Sequence, residues 1–364
     1  MNCSFWQGKR VFLTGHTGFK GGWLSLWLQT MGAEVHGFAL QPPTTPSFFS
    51  VCNLKDDFST STLSDIRDIS ALEAAMRAAK PEIVFHLAAQ PLVQASYVNP
   101  LETFDVNVMG TANILDVARR LHGIKAVVVV TTDKCYENRE WEWPYRENDP
   151  LGGHDPYSSS KACAELVTQA FRRSFPKPET AIATVRAGNV IGGGDWAQNR
   201  LIPDFLRSLD IGQTLVVRNP LATRPWQHVL EPLSGYLIVA EKLYQQGIKF
   251  AEAWNFGPDF SDACSVEWIV NRLCASVPGA SWKKDSTQQP HEASILRLDN
   301  TKAKINLGWA PRWNIEDALD ATLFWHKAWK TGENMRNVSL SQIKAYTNKK
   351  AYTNKIEEVS NVPV

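Results

Sequence analysis

Over roughly its first 190 residues the chain alternates short β-branched runs with segments of helical length, and this alternation constrains its fold more than any other feature. Residues 9–14 (KRVFLT), 34–39 (EVHGFA), 82–87 (EIVFHL), 126–131 (AVVVVT) and 181–186 (AIATVR) read as strands. Helices are expected near 20–31, 69–79, 107–121 and 157–175; the second is bounded by Asp68 and Pro81, the last by Pro156 and Pro176. Strands that alternate with helices of this length form a parallel sheet with helices on both faces. The expected fold class is α/β, a Rossmann-type doubly wound parallel sheet with a smaller C-terminal α/β lobe for substrate.

From Gly188 onward loops dominate, with helices near 202–208 and 230–245 and a strand at 253–256. The expected division is 1–188 as the dinucleotide-binding domain, with 229–258 returning to it. Residues 189–228 and 259–335 then form the substrate lobe, and 336–364 a polar tail. That tail repeats Ala345-Tyr-Thr-Asn-Lys as Ala351-Tyr-Thr-Asn-Lys. Two copies cannot stack into a solenoid, so a frayed end is expected.

Thirty-eight Lys+Arg against 37 Asp+Glu leave a net charge of +1, which argues against a dedicated nucleic-acid binder. Hydrophobic residues at 44% exclude intrinsic disorder. No apolar run reaches the ~18–20 residues of a membrane span, and the N-terminus lacks the pattern of a secretion signal. Six cysteines without a C-x-x-C pair argue against a disulfide framework or a zinc site, and fit a reducing cytoplasm.

Chemistry enters with Gly15, Gly18 and Gly21, between the first strand and first helix. Glycines there let a turn approach a pyrophosphate, with helix N–H groups supplying positive charge. No acidic residue follows the second strand, since 37–54 contains no charged side chain. This disfavours carboxylate recognition of a ribose and equally a cationic partner for a 2′-phosphate, so NAD is expected over NADP, and loosely held. Asp68 reads as a helix cap.

Tyr157 and Lys161 form Y-x-x-x-K, one helical turn apart on one face. A neighbouring ammonium favours phenolate, so the tyrosine is expected to drop from its ordinary pKa of ~10 toward a working base. Thr132 ends a strand and would share the hydrogen bond to the reacting oxygen. Asp133-Lys134 reads either as an acid–base pair or as a surface ion pair at a strand end. Asn189, Arg200, Arg218, Arg224 and His228 lie in polar loops near Trp196 and Trp226, where arginine forks could take a diphosphate. His86 reads as strand-end packing and His16 as orienting the glycine turn; neither suggests a metal.

Seven segments carry a resemblance: TGHTGFKGGWL (14–24), HLAAQPLV (86–93), NVMGTANIL (107–115), TTDKCYEN (131–138), DPYSSSKACAE (155–165), VRAGNVIGGGDWAQNRLIPD (185–204) and RPWQHVLEPLSGY (224–236). Over residues 8–330 the chain resembles the extended short-chain dehydrogenases, and within them the sugar-nucleotide 4,6-dehydratases, nearest to those acting on CDP-glucose. The resemblance implies NAD held by Gly15, His16, Thr17, Gly18, Phe19 and Gly21. Asp65 and Ile66 would sit at the adenine, with Leu87, Ala88, Ala89, Asn107, Tyr157 and Lys161 completing the site. Asn107 resembles the helix-kinking asparagine of these enzymes, though a plain helix cap reads equally well. Gln90 joins the substrate set.

The resemblance implies a catalytic set of Thr132, Asp133, Lys134, Tyr157 and Lys161. Tyr157 would take the C4 hydroxyl proton, Asp133 would protonate the C6 hydroxyl, and Lys134 would take the C5 proton. Related dTDP-glucose enzymes carry Thr-Asp-Glu where this sequence has Thr-Asp-Lys. A lysine base must be partly neutral. The implied product is a 4-keto-6-deoxy sugar that feeds 3,6-dideoxyhexoses of bacterial surface polysaccharide. A cytoplasmic homodimer or homotetramer is implied, joined through helices near 107–121 and 157–175.

Overall fold

A computed structural model describes residues 2–176, 179–287 and 293–348. Its centre is a seven-stranded sheet of β1 (Arg10–Thr14), β2 (Glu34–Ala39), β3 (Thr60–Leu63), β4 (Ile83–His86), β5 (Ala126–Val130), β6 (Ala181–Ala187) and β7 (Ala253–Phe256). All pairings are parallel, in the order β7-β6-β5-β4-β1-β2-β3. The chain runs outward from β1 to β3, then crosses back to β4 on the other side of β1. That reversal opens a crevice beyond the carboxyl ends of β1 and β4, where ligands of such sheets bind.

The central strands are apolar along their length because helices cover both faces. Ala126, Val128 and Val130 of β5 join one core, and Val127 and Val129 the other. The first core takes α1 (Phe19–Thr30), whose residues Gly21 to Leu28 are all buried. A helix apolar all round has no face to give to water. The second core takes α2 (Ile69–Ala79) and α3 (Gly110–Arg120). Helix α4 (Pro156–Ser174) packs beside α3, starting from an Asp155 cap that accepts the Ser158 N–H, with Pro156 in its first turn. Helix α5 (Leu230–Gln246) crosses beneath β5 and β6.

A third core joins helices Leu201–Asp210 and Val266–Ser276 with Leu215, Val217 and Trp226, and with the start of α6 (Ile315–Lys330). No helix among the described residues is long and apolar enough to cross a membrane. Likewise, no group of three or more His, Cys, Asp or Glu among them could hold a metal ion.

One expectation is corrected. The first part of the expected frayed tail forms α7 (Met335–Thr347), which buries Met335, Val338, Ser339, Gln342, Ile343 and Tyr346. Those positions recur at three- and four-residue intervals, an amphipathic stripe that the polar repeat obscures. Tyr346 of the first repeat copy is fully buried, and its hydroxyl donates to Glu231 Oε2 at 2.7 Å. The second copy lies outside the described residues.

Glu231 is itself buried and accepts the backbone N–H groups of Arg312 (2.9 Å) and Trp313 (2.8 Å). Burial pushes its carboxyl up to about 7. The native state therefore holds a proton that the unfolded chain releases near its ordinary value of ~4.3. Stability from this group is fully present below about 4.3 and is lost as pH rises to about 7, worth on the order of 3–4 kcal/mol. Urea unfolding of wild type and Glu231→Gln across pH 4 to 8 should show their stability difference changing in that window; parallel curves would contradict the assignment.

Candidate active site

The glycine turn is built so that only glycine fits. Gly15 has φ +78°, and a Cβ there would lie 2.8 Å from the Ala88 nitrogen. A Cβ on Gly21 would meet the Gly15 carbonyl oxygen at 2.1 Å. Gly18 caps α1 without any side-chain hydrogen bond, which leaves the first N–H groups of that helix to a ligand. Thr14 Oγ1 accepts the N–H groups of Leu87 and Ala88, both at 3.1 Å, drawing Leu87, Ala88 and Ala89 alongside the turn. A tight glycine cradle at a bare helix N-terminus fits a dinucleotide pyrophosphate.

Around this cradle His16 is buried, its Nε2 lies 2.8 Å from Ser61 Oγ, and its ring fills the space above Gly37. Burial lowers its pKa to about 4, so the imidazole is neutral. Thr17 donates to the Leu40 carbonyl at 2.8 Å, and Phe19 packs against the first core. Asp65 is paired with Arg67 at 2.6 Å, while Ile66 is buried against Gly110. Asn107 lies in a π turn (Asp105–Met109) inside a helical run, so it is no cap. Its amide accepts from Gln90 N at 2.9 Å and donates to Ser160 Oγ at 2.8 Å.

At the end of β5 the chain turns through Thr132, Asp133 and Lys134, facing Tyr157 and Lys161 on α4. The Thr132 hydroxyl lies within hydrogen-bond reach of Tyr157 and donates to Asp133 Oδ1 at 2.9 Å. Asp133 is fully buried, and its Oδ2 has no partner. Lys134 Nζ sits 3.4 Å from both Asp133 Oδ1 and Asn189 Oδ1. Lys161 Nζ donates to the Val130 carbonyl at 3.3 Å.

The expected lowering of the tyrosine is not found. Burial pushes Tyr157 up to about 12, with the Thr132 hydrogen bond and Arg200 pulling the other way. Lys161 is itself brought down to about 8 by burial. Desolvation outweighs both, and the phenol keeps its proton.

The substrate set divides. Arg200 faces Tyr157 and bonds Asp195 at 2.9 Å, and Asn189 holds Lys134. Arg218 reaches Asn199 at the lobe surface, and Arg224 is buried with its guanidinium on the Thr223 carbonyl at 3.1 Å. Four other residues have their contacts elsewhere in the fold. His228 is enclosed between Trp23 and Trp313 and accepts the Leu230 N–H, so it serves packing. Gln90 spends its amide on Leu92 and Thr103, closing its own turn. Trp196 packs edge-on against Trp325 and Trp329, and Trp226 belongs to the third core.

Sequence reasoning missed Lys20, which lies among Arg200, Asp133, Lys161 and Lys134. Burial, with those three cations, lowers it to about 7. Its signal was a charged side chain inside the glycine turn. Glu165 and Arg186, buried behind the site, were also missed.

A family model described as GDP-mannose 4,6 dehydratase matches residues 12–322, and the chain belongs to that family. It is 55% identical over 350 residues to a CDP-glucose 4,6-dehydratase of Salmonella typhimurium, covering 94% of this chain and 97% of the relative. It is 29% identical to a dTDP-glucose 4,6-dehydratase of Streptomyces griseus, over 68% of this chain and 73% of that one. Among solved structures, DesIV of Streptomyces venezuelae, a dTDP-glucose 4,6-dehydratase with NAD and TYD bound, superposes with a TM-score of 0.75. The two are 25% identical, over 87% of this chain and 97% of the other. A UDP-glucose 4-epimerase from Thermotoga maritima, 22% identical with a TM-score of 0.76 over 87% of this chain and 98% of that one, shares the fold.

The phenol assignment has a direct check. Phenolate absorbance of ligand-free wild type, minus that of Tyr157→Phe, should show no titration below about pH 10. A difference signal near neutrality would mean that Lys161 outweighs burial after all.

Proposed function

We propose that this member of the GDP-mannose 4,6-dehydratase family is an NAD-dependent CDP-glucose 4,6-dehydratase, converting CDP-glucose to CDP-4-keto-6-deoxyglucose. The observation that carries the reading is the buried Asp133 carboxylate. One of its oxygens lacks a partner, and it sits between the Thr132–Tyr157 pair and Lys134. Oxidation at C4 needs only the tyrosine and threonine; expelling water from C6 needs an acid and a base beside them. The 55% identity to a CDP-glucose enzyme supports the choice of nucleotide.

Thr132 and Tyr157 hold the C4 hydroxyl, and Tyr157 takes its proton. Gly15, Gly18 and the N-terminus of α1 would hold NAD, which would supply the acceptor for the C4 hydride and its donor to C6, and whose oxidised ring would add the positive charge that draws the Tyr157 phenol down from about 12. The C4 ketone acidifies C5–H, whose proton goes to Lys134. Asp133 enters this step as the carboxylic acid and Lys134 as the amine, the proton-shifted form of their ion pair, and Asp133 Oδ2 delivers its proton to the C6 hydroxyl, which leaves as water. The 3.4 Å contact between Lys134 Nζ and Asp133 Oδ1 lets the proton taken from C5 replace the one given at C6. When hydride reaches C6, C5 takes up a proton from solvent, and Tyr157 releases to solvent the one it took from the C4 hydroxyl. Lys161 keeps Tyr157 in place as the neighbouring cation. Arg200, Arg218 and Arg224 are the residues for the diphosphate, and Asp65 and Ile66 those for the adenine.

A homodimer fits the same reading. Val98, Leu101, Met109 and Leu166 are exposed on the adjoining segments around α3 and α4, an apolar surface of the kind that pairs between copies. Six free thiols accord with a reducing cytoplasm.

A panel of nucleoside-diphosphate glucoses should give keto-sugar with CDP-glucose first, and C4-deuterated substrate should deliver its label to C6. Product lacking the label, or an epimer without loss of water, would overturn the reading. Asp133→Asn should lower turnover by about 10²–10⁴-fold with nucleotide binding nearly unchanged; equal losses in both would remove Asp133 from the acid role.

A further inference from the structure

We propose that the buried Glu165–Arg186 ion pair is the positioning device of this site. It clamps both ends of the turn that carries Thr132, Asp133 and Lys134 to the helix that carries Tyr157 and Lys161, and it supplies the anion that keeps Lys161 charged. The inference deepens the dehydratase reading and rests on it for the identity of the reacting groups.

Glu165 continues the stripe of Tyr157 and Lys161 one further turn along α4, on the same face. Its Oε1 accepts from Thr131 Oγ1 at 2.5 Å and Arg186 Nε at 2.8 Å. Its Oε2 accepts from Thr184 Oγ1 at 2.7 Å and Arg186 at 2.8 Å. Both partners are 3% exposed. Arg186 turns its remaining nitrogen to the Tyr136 hydroxyl at 2.8 Å and the Glu147 carbonyl at 3.1 Å. Tyr136 in turn donates to Asn255 Oδ1 at 2.7 Å on β7. Thr131 and Tyr136 flank the turn from 132 to 135, so one ion pair grips it from both sides.

Stability alone does not explain this arrangement. A buried ion pair is about as stable as an apolar pair of the same shape, because desolvation cancels most of the attraction. What an apolar pair lacks is directional bonding and charge. The charge acts on Lys161, where Glu165 opposes the burial that brings the ammonium down to about 8. The other titratable groups facing Lys161 do not replace it. Tyr157 on α4 is a neutral phenol, and burial keeps the Cys135 thiol protonated. His86 on β4 is neutral, and Lys20 on α1 is a cation that repels. Glu165 is thus the carboxylate that holds the Lys161 proton.

The test uses the full-length protein with NAD and CDP-glucose. Removing the pair as Glu165→Leu/Arg186→Met should leave a folded protein. Its kcat should fall about 100-fold with KM within about threefold, and the alkaline limb of its kcat/KM profile should move about one pH unit lower. Glu165→Asp keeps the charge and should hold the limb in place while kcat drops. Tyr136→Phe loosens the far end of the clamp and should lower kcat without moving the limb.

A folded double variant with near-wild-type kcat and an unmoved limb overturns the proposal. Should that variant fail to fold, Glu165→Asp and Tyr136→Phe carry the test, and full kcat in both overturns it equally. The two readings fail separately. If wild type transforms a different nucleotide sugar, the limb shift is measured on that substrate, and the clamp stands or falls there.

Discussion

Asp133 is the one carboxylate acting on the buried Lys20, against three cations, Lys134, Lys161 and Arg200. Without it, burial and repulsion would act on Lys20 with no nearby charge in its favour, while Arg200 keeps Asp195 and Lys161 keeps Glu165. With it, the cleft keeps a surplus of positive charge that suits anionic ligands, yet holds its cations at fixed places. The sheet supports this by putting the charges at the carboxyl ends of parallel strands, just where the apolar cores stop. Alternate residues of β5 belong to opposite cores up to Val129 and Val130, and Thr131 begins the polar layer.

That boundary also explains the direction of the shifts. Groups just outside a dry core are desolvated before they are paired, so Tyr157 rises and Lys20 and Lys161 fall. Tyr157 and Lys20 are the kind of groups whose shift a ligand's own charge can reverse, while Lys161 stays charged beside Glu165. A diphosphate beside Lys20 favours its ammonium. A positive ring beside Tyr157 favours its phenolate.

Much of the sheet was legible because its signals are local. Residues 34–39, 69–79 and 253–256 end where expected, and for the helix the Asp68 cap and Pro81 mark the limits without reference to anything distant. Strand β3 carries no comparable run; TSTL is an edge strand, largely exposed, and is recruited by pairing with β2. Helix α7 was hidden because a polar repeat outweighed the spacing of its buried stripe. Motifs singled out Thr132, Asp133, Tyr157 and Lys161, which the fold brings together, but not how burial shifts Tyr157 and Lys161. A lysine four residues from a tyrosine says nothing about how dry the pocket is. His228, Gln90 and Trp196 misled for the same reason: a polar loop residue turns inward or outward according to packing that the sequence does not display. Glu165 and Arg186 left two usable traces, a third turn added to the Tyr157–Lys161 stripe and a lone charge in the apolar run AIATVRA.

Whether an oxidised hexose loses water or is merely reduced on its other face is a question of what stands beside C5 and C6 while the ketone exists. A tyrosine and a threonine serve both outcomes, because both begin by removing the C4 proton. Elimination is favoured only if a base meets C5–H and an acid meets the C6 oxygen before the hydride returns. Asp133 and Lys134 are adjacent in sequence, so a single turn must aim both, and a small rotation of that turn would misplace the two together. The ties at Thr131 and Tyr136 resist that rotation. On this view the choice between dehydration and epimerisation depends on the stiffness of a four-residue turn as much as on the acid and base it carries.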